Sequence, residues 1–401
     1  MNLAERVAAL RPTAVNRVLQ EARQLQAEGR KLVSLMRGQP DTPTPLVIVE
    51  AAEKALRDGH TGYADNQGEP ILRHAVVEKL WRDNDLTYDA DREILITDGA
   101  TAGIFAALAV LIQPGDEVLL PDPIYDAYAG PIAIWGGRAA PVRSAIRGGR
   151  FIVERAALDS ARTPRSRVLL LNTPWNPTGT VFTRAELGEC MDSAVAHDLY
   201  VISDEIYENL VYDGGRHVSP AVLSAEARAR TVLVNSLSKT YSMTGWRVGY
   251  CAAPAEIVRG MVLVWQQFSR GPATFVQHAA AAALTCDQAC VRKMAAEYQE
   301  RRDAVVRALN GLGSVVPLVP QGGLFVMLDV RGLGMPSDEV RQFLLREAGV
   351  VVIHGSAYGE GGEGTLRVSF AAGGKTLEQG LKRLRDGLKR LSEQSRGKGR
   401  P

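Results

Sequence analysis

Between residues 93 and 235 the chain repeats one pattern, a short unbroken apolar run followed by a longer stretch with helical character. The runs are Ile94-Leu95-Ile96-Thr97, Val118-Leu119-Leu120, Val168-Leu169-Leu170-Leu171, Tyr200-Val201-Ile202-Ser203 and Val232-Leu233-Val234-Asn235. A strand that is apolar on both faces has to be covered on both, so such runs separated by helices predict an α/β fold around a mostly parallel sheet. Ligands of these sheets bind beyond the carboxyl ends of the strands, which makes the residue group after each run a candidate site. With 401 residues the chain can hold one large α/β domain and a smaller partner.

The groups after the runs share a chemistry. The first run is followed by Asp98-Gly99-Ala100-Thr101-Ala102-Gly103, small residues that open a helix over 104–111. The free N–H groups of such a helix start suit a phosphate, although a tight turn without ligand would read the same way. The second run leads to Pro121-Asp122-Pro123-Ile124-Tyr125-Asp126-Ala127-Tyr128. After the third comes Asn172-Thr173-Pro174-Trp175-Asn176-Pro177-Thr178-Gly179, where prolines fix the backbone and asparagine amides can bond a ligand. The fourth ends in Asp204-Glu205-Ile206-Tyr207, and a carboxylate buried at a strand end needs a partner, either a ligand cation or the N–H groups of the next helix. The fifth delivers Lys239 between Ser236, Ser238 and Arg247. A primary amine beside hydroxyls and a guanidinium suits a phosphorylated aldehyde, the amine condensing with the aldehyde while the others hold the phosphate. Pyridoxal 5′-phosphate is such a molecule, and the chain has no P-loop or dinucleotide fingerprint that would assign the phosphate to a nucleotide. A solvated lysine in a serine-rich loop is the competing account.

From Ser236 to Gly249 the chain resembles, position for position, the lysine-attachment signature of the class I aminotransferases: Ser, an apolar residue, Ser-Lys, two free positions, Ser-Met, one free, Gly, one free, Arg-Val-Gly. Residues 172–179 are similar to that family's Asn-Pro-x-Asn-Pro-Thr-Gly segment, and 121–125 to its Pro-x-Tyr segment. Thr61-Gly62-Tyr63 with Gly68 and Leu72-Arg73, the Gly38-Gln39-Pro40-Asp41 turn and the Arg367-Val368-Ser369-Phe370 strand extend the likeness over about 32–370. The resemblance implies the fold type I of pyridoxal-phosphate enzymes, with a seven-stranded, mostly parallel sheet in a large domain and a smaller α+β domain. It implies a homodimer with shared active sites, moving the amino group of an L-α-amino acid to pyruvate or 2-oxoglutarate, as bacterial enzymes acting on aspartate or arginine do. Lys239 would be both covalent anchor and proton carrier. Gly99, Ala100, Thr101, Ser236, Ser238 and Arg247 would hold the phosphate, joined by Tyr63 from the neighbouring subunit. Tyr125 would stack on the pyridine, Asp204 would pair with its nitrogen, and Asn176 and Tyr207 would face its phenolic oxygen. Gly38, Asn176 and Arg367 would meet the substrate, Arg367 through the α-carboxylate. Taken alone, Tyr63 reads as an interface or core aromatic and Arg367 as a surface ion pair. A lyase, decarboxylase or oxidase would use the same cofactor grip. A ligand-sensing regulator would carry a DNA-binding module ahead of the domain, for which this chain begins too close to the first helix.

Substrate side-chain recognition is less determined. Relatives specialised for aspartate often carry a lysine where Thr101 stands, whereas Arg37 and Arg270 are guanidinium groups that could meet a second carboxylate or form ordinary salt bridges. The expected division is an N-terminal segment 1–45 packing with the small domain, a large domain 46–285, a small domain 286–392 and a loose tail 393–401. Apolar periodicity over 12–29 predicts a packing helix without a site role, and 275–310 reads as one long helical region. Cys286 and Cys290 would share a face of it, with no metal-ligand spacing around them. The four cysteines are too scattered for a disulfide framework and, with no signal-like or membrane-spanning apolar run, predict a cytoplasmic protein. A net charge of +2 without a basic block gives no footprint for nucleic acid.

Overall fold

The structure is a computed structural model that describes residues 4–8, 10 and 12–398. Seven strands form the large sheet: β1 (Ile94–Thr97), β2 (Glu117–Asp122), β3 (Arg138–Arg143), β4 (Ser166–Asn172), β5 (Tyr200–Asp204), β6 (Thr231–Ser236) and β7 (Gly249–Ala252). Their spatial order is β1-β7-β6-β5-β4-β2-β3, and only β7 runs antiparallel to its neighbours. Every residue of β1, β2 and β6 is buried, which is why apolar runs fill them without alternating. Two strands escape the run pattern. β3 lies at the sheet edge with exposed Arg138, Ala139 and Arg143, and β7 opens with the glycine that closes the lysine segment.

Helices cover both faces. On one, Ile104 and Leu108 of the helix Ala100–Leu111 pack with Val118, Val168 and Trp265. On the same sheet, Leu72 and Val76 of Pro70–Asn84 and Ala280 of Thr274–Thr285 pack with Ile94, Ile96 and Leu233. The helix Arg184–Ala196 starts with a reciprocal cap between Thr183 and Glu186, so Asn176 is not needed as its cap and is left for another role.

The second sheet has four antiparallel strands, β8 (Val316–Leu318), β9 (Phe325–Asp329), β10 (Ile353–His354) and β11 (Thr365–Ser369), in the order β8-β9-β11-β10. It shares a core with Ala289–Leu309 and Gly374–Lys398, including Val305, Leu309, Leu366, Val368 and Leu384. The short strand Val33–Ser34 pairs with Val350–Val351, and Ser369 N–H donates to Leu35 O at 2.8 Å, so the N-terminal segment is held beside β11. The stretch 275–310 is two helices, not one. Cys286 is extended (φ −69°, ψ 171°) and ends the first helix, while Asp287 Oδ1 accepts Ala289 N–H at 3.0 Å at the start of the next. Cys286 and Cys290 therefore do not lie on a common helix face.

Candidate active site

Beyond the carboxyl ends of β1, β2, β4, β5 and β6 lies an inner cavity of about 170 Å³. Ala100, Thr101, Tyr125, Asn176, Asp204, Tyr207, Ser236, Ser238, Lys239 and Arg247 all line it. A wider outer cavity of about 480 Å³ shares Tyr125, Asn176, Tyr207 and Lys239 with the first and adds Arg37, Gly38, Phe325 and Arg367. Lys239 stands where the two meet.

One end of the inner cavity is built for an anion. Gly99 has φ 93°, in the left-handed region, and a Cβ there would come within 2.7 Å of Arg247 Nη2, so only glycine lets the guanidinium lie against the helix start. Arg247 donates to the carbonyls of Thr244 and Asp98 at 3.0 Å each, and has no acidic partner among the described residues. The buried Ser236 and Ser238 hydroxyls lie 2.8 Å apart beside it. Free main-chain N–H groups, two hydroxyls and an unpaired guanidinium form a cup whose charge a phosphate would balance.

At the other end Asp204 is 4% exposed, and burial raises its pKa to about 6 even though the Tyr128 hydroxyl donates to Oδ2 at 2.7 Å. Its Oδ1 also accepts Ile206 N–H at 3.3 Å, the local capping bond expected as the alternative. No cation in the chain is paired with it among the described residues. Tyr125 meets Tyr128 edge to face at 5.2 Å and is pushed up to about 12 by burial. Burial also lowers Lys239 to about 8, with the Arg247 charge adding to the effect and Asp204 opposing it. Its Nζ donates to Gly38 O at 2.9 Å.

Arg367 is not a surface residue. It is 4% exposed, donates to Asn176 Oδ1 at 3.2 Å and Met36 O at 2.7 Å, and stacks 4.0 Å over the Phe325 ring. Its Nε is buried without a partner, and no carboxylate pairs with the guanidinium among the described residues. A buried cation in that state has the charge and free donor to accept a carboxylate.

Several expectations change. Tyr128, given no role from the sequence, bonds Asp204, a link between residues 76 apart that no local spacing signals. The helix Ala14–Ala27 is not purely structural, because Thr13, Val15, Asn16 and Leu19 form a wall of the outer cavity. Arg270 lines neither cavity and donates to Asn66 Oδ1 at 3.0 Å. Tyr63 is 94% exposed and lies outside its own chain's cavities, so it is no core aromatic. Asn172, whose Oδ1 accepts Asn176 N–H at 2.7 Å, orients the asparagine to which the family likeness points.

An anion cup, a lysine of lowered pKa and a buried carboxylate at the strand ends of a doubly covered sheet define an enzyme of the pyridoxal-phosphate fold type I class. The chain belongs to the family described as aminotransferase class I and II, which matches residues 30–384. It is 37% identical to aromatic-amino-acid aminotransferase 2 of Thermococcus litoralis, covering 96% of this chain and 97% of the relative. To the arginine–pyruvate transaminase AruH of Pseudomonas aeruginosa it is 36% identical, over 92% of this chain and 93% of that one. Among solved structures, the aspartate aminotransferase of Rhizobium meliloti superposes with a TM-score of 0.94 at 31% identity, covering 97% and 99% of the two chains. The chain is an aminotransferase, and its cofactor is pyridoxal 5′-phosphate.

Proposed function

We propose that Lys239 anchors the cofactor and carries the proton during transfer between common L-α-amino acids and pyruvate or 2-oxoglutarate. What carries this reading is the position of Lys239, lining both cavities between the phosphate-sized cup and the unpaired Arg367. When bound, the cofactor supplies an electron sink that acidifies the substrate Cα–H. The chain supplies the rest. Gly99, Ala100, Thr101, Ser236, Ser238 and Arg247 would hold the phosphate, Asp204 would favour a protonated ring nitrogen, and Tyr125 would cover the ring. Asn176 and Tyr207 face the phenolic oxygen. Arg367 would grip the substrate α-carboxylate, Gly38 would face the substrate from the same cavity, and Lys239 Nζ would remove and return the proton at Cα, work worth ~10²–10⁴-fold in rate.

The assembly belongs to the same proposal: a homodimer in which Tyr63 reaches the neighbouring phosphate. Supporting it are the 94% exposure of Tyr63 and the exposed Leu46 (69%) and Val47 (46%) at the start of the helix Leu46–Arg57. Sedimentation against protein concentration checks the dimer, and full activity from a monomer would exclude it. Domain limits at 45/46 and 285/286 belong to the same proposal: the small-sheet core takes most of its residues from beyond 285, together with Leu35, Tyr207, Leu210 and Tyr212, while Val291 packs into a core of the large sheet. A cytoplasmic location agrees with four free cysteines, and no described helix is long and apolar enough to cross a membrane.

The testing experiment is a panel of amino donors against pyruvate and 2-oxoglutarate, followed through the cofactor spectrum. Transfer to either acceptor should restore the aldehyde form after the donor half-reaction. Release of CO₂, peroxide or ammonia without that restoration would point to a decarboxylase, oxidase or lyase instead.

A further inference from the structure

Next to the cup lies a buried polar network that none of these roles uses. Lys79 and Glu208, 2% and 9% exposed, form an ion pair. Lys79 Nζ also donates to Asn84 Oδ1 at 2.7 Å, and Asn84 Nδ2 donates to Glu208 Oε2 at 2.8 Å. Asn235 Nδ2 donates to Glu208 Oε1 at 2.7 Å, and Asn235 Oδ1 accepts the Ser236 N–H at 2.7 Å. From Ser236 the 2.8 Å contact between hydroxyls continues to Ser238. An unbroken series of hydrogen bonds thus runs from the helix Pro70–Asn84 to the serines of the anion cup.

Glu205, Glu208 and His217 bring ligand-type atoms within 4.8 Å of one another, which could suggest a metal site. Their bonds point elsewhere. Glu208 is occupied by Lys79, Asn84 and Asn235, while Glu205 is held by Ser203 (2.8 Å), Ser219 (2.7 Å) and His217 (2.8 Å). The lysine ammonium already provides the positive charge. Stability is a weak reason for keeping such a pair, since a buried ion pair is commonly no better than apolar residues of the same volume.

Direction offers a better reason. A carboxylate only accepts, so Glu208 forces the NH₂ side of the Asn235 amide toward itself and leaves the oxygen facing Ser236 N–H. An ammonium only donates, so Lys79 orients Asn84 by the same logic. We infer that Glu208 and Asn235 are positioning residues for cofactor binding: Lys79 and Asn84 fix Glu208, Glu208 fixes the Asn235 amide, and Asn235 sets Ser236, and through it Ser238, for the phosphate. This rests on the phosphate placement proposed above. Glu208 also directly follows Tyr207, so the network ties together two parts of the cavity wall.

The test compares pyridoxal 5′-phosphate with pyridoxal, which lacks the phosphate, in titrations of the apoprotein. Asn235→Ala should raise the Kd for pyridoxal 5′-phosphate about tenfold and change that for pyridoxal less than about twofold. Lys79→Met with Glu208→Gln, which leaves no unpaired buried charge, should give the same selective loss and decides the matter if Asn235→Ala does not fold. Equal weakening of both ligands, or no weakening of either, would overturn the inference. A wild-type protein that does not prefer the phosphorylated ligand would overturn the phosphate placement itself.

Discussion

Lys239 Nζ donates to the main-chain oxygen of Gly38 at 2.9 Å, joining the end of the large sheet to a turn 201 residues earlier in the chain. The bond holds the amine at the mouth between the cavities, and the same burial that makes it possible lowers the lysine to about 8.

A titration follows from that value. An amine attacks an aldehyde only when neutral, and its neutral fraction grows as pH rises through the pKa. The rate of pyridoxal 5′-phosphate uptake by the apoprotein should climb with pH and level off above about 8, where an ordinary lysine would keep climbing toward 10.5. Stopped-flow absorbance between pH 6 and ~10.5 measures it. A rate still rising steeply at the upper end would contradict the lowered value.

Asp204 gives a prediction with opposite consequences for stability and activity. Its folded-state pKa of about 6 exceeds the ordinary 3.8, so the folded apoprotein binds more protons and loses stability as pH rises across that window. Asp204→Asn removes the penalty. The apo variant should be more stable than wild type by roughly 2–3 kcal/mol at pH 8, with the difference shrinking to about 0.5 kcal/mol near pH ~4. Turnover should nonetheless fall ~10²–10³-fold, because the ring nitrogen loses its carboxylate. Denaturant melts at both pH values and steady-state kinetics check the two halves.

Arg367→Lys should raise KM about ten- to a hundredfold for every donor and acceptor alike, since all carry the α-carboxylate and the loss is one charge-assisted pair. Cofactor affinity should not change. A rise confined to one substrate class would place Arg367 against a side chain instead.

Arg37 is exposed, lines the outer cavity and has no ion-pair partner among the described residues. Arg37→Ala should therefore raise KM for dicarboxylic substrates about tenfold more than for neutral ones. Equal changes for aspartate and alanine would remove it from substrate recognition.

The residues that line the inner cavity are legible in the sequence as a group, because most of them follow a buried strand. Gly99, Asp204 and Lys239 stand out by position, since the ends of adjacent parallel strands have to converge, whereas the roles proposed for Tyr125 and Asn176 come from the family likeness. Arg367 needed the family likeness, since an arginine in an alternating strand reads by itself as a surface group. Contacts between distant residues were hidden. The Tyr128–Asp204 bond and the Lys79–Glu208 pair have no local signature, and the wall formed by Thr13 and Asn16 depends on where the N-terminal helix docks. The break at Cys286 has no signal in the sequence, because alanine-rich stretches continue the helical period on both sides of a three-residue gap between Thr285 and Ala289.

Lys239→Ala is the most direct test of the account. The variant should fold, with the circular dichroism spectrum of the wild type, and its transamination rate should fall at least ~10⁴-fold, since it lacks both the covalent anchor and the proton carrier. A folded Lys239→Ala protein that transferred amino groups at close to the wild-type rate would contradict it.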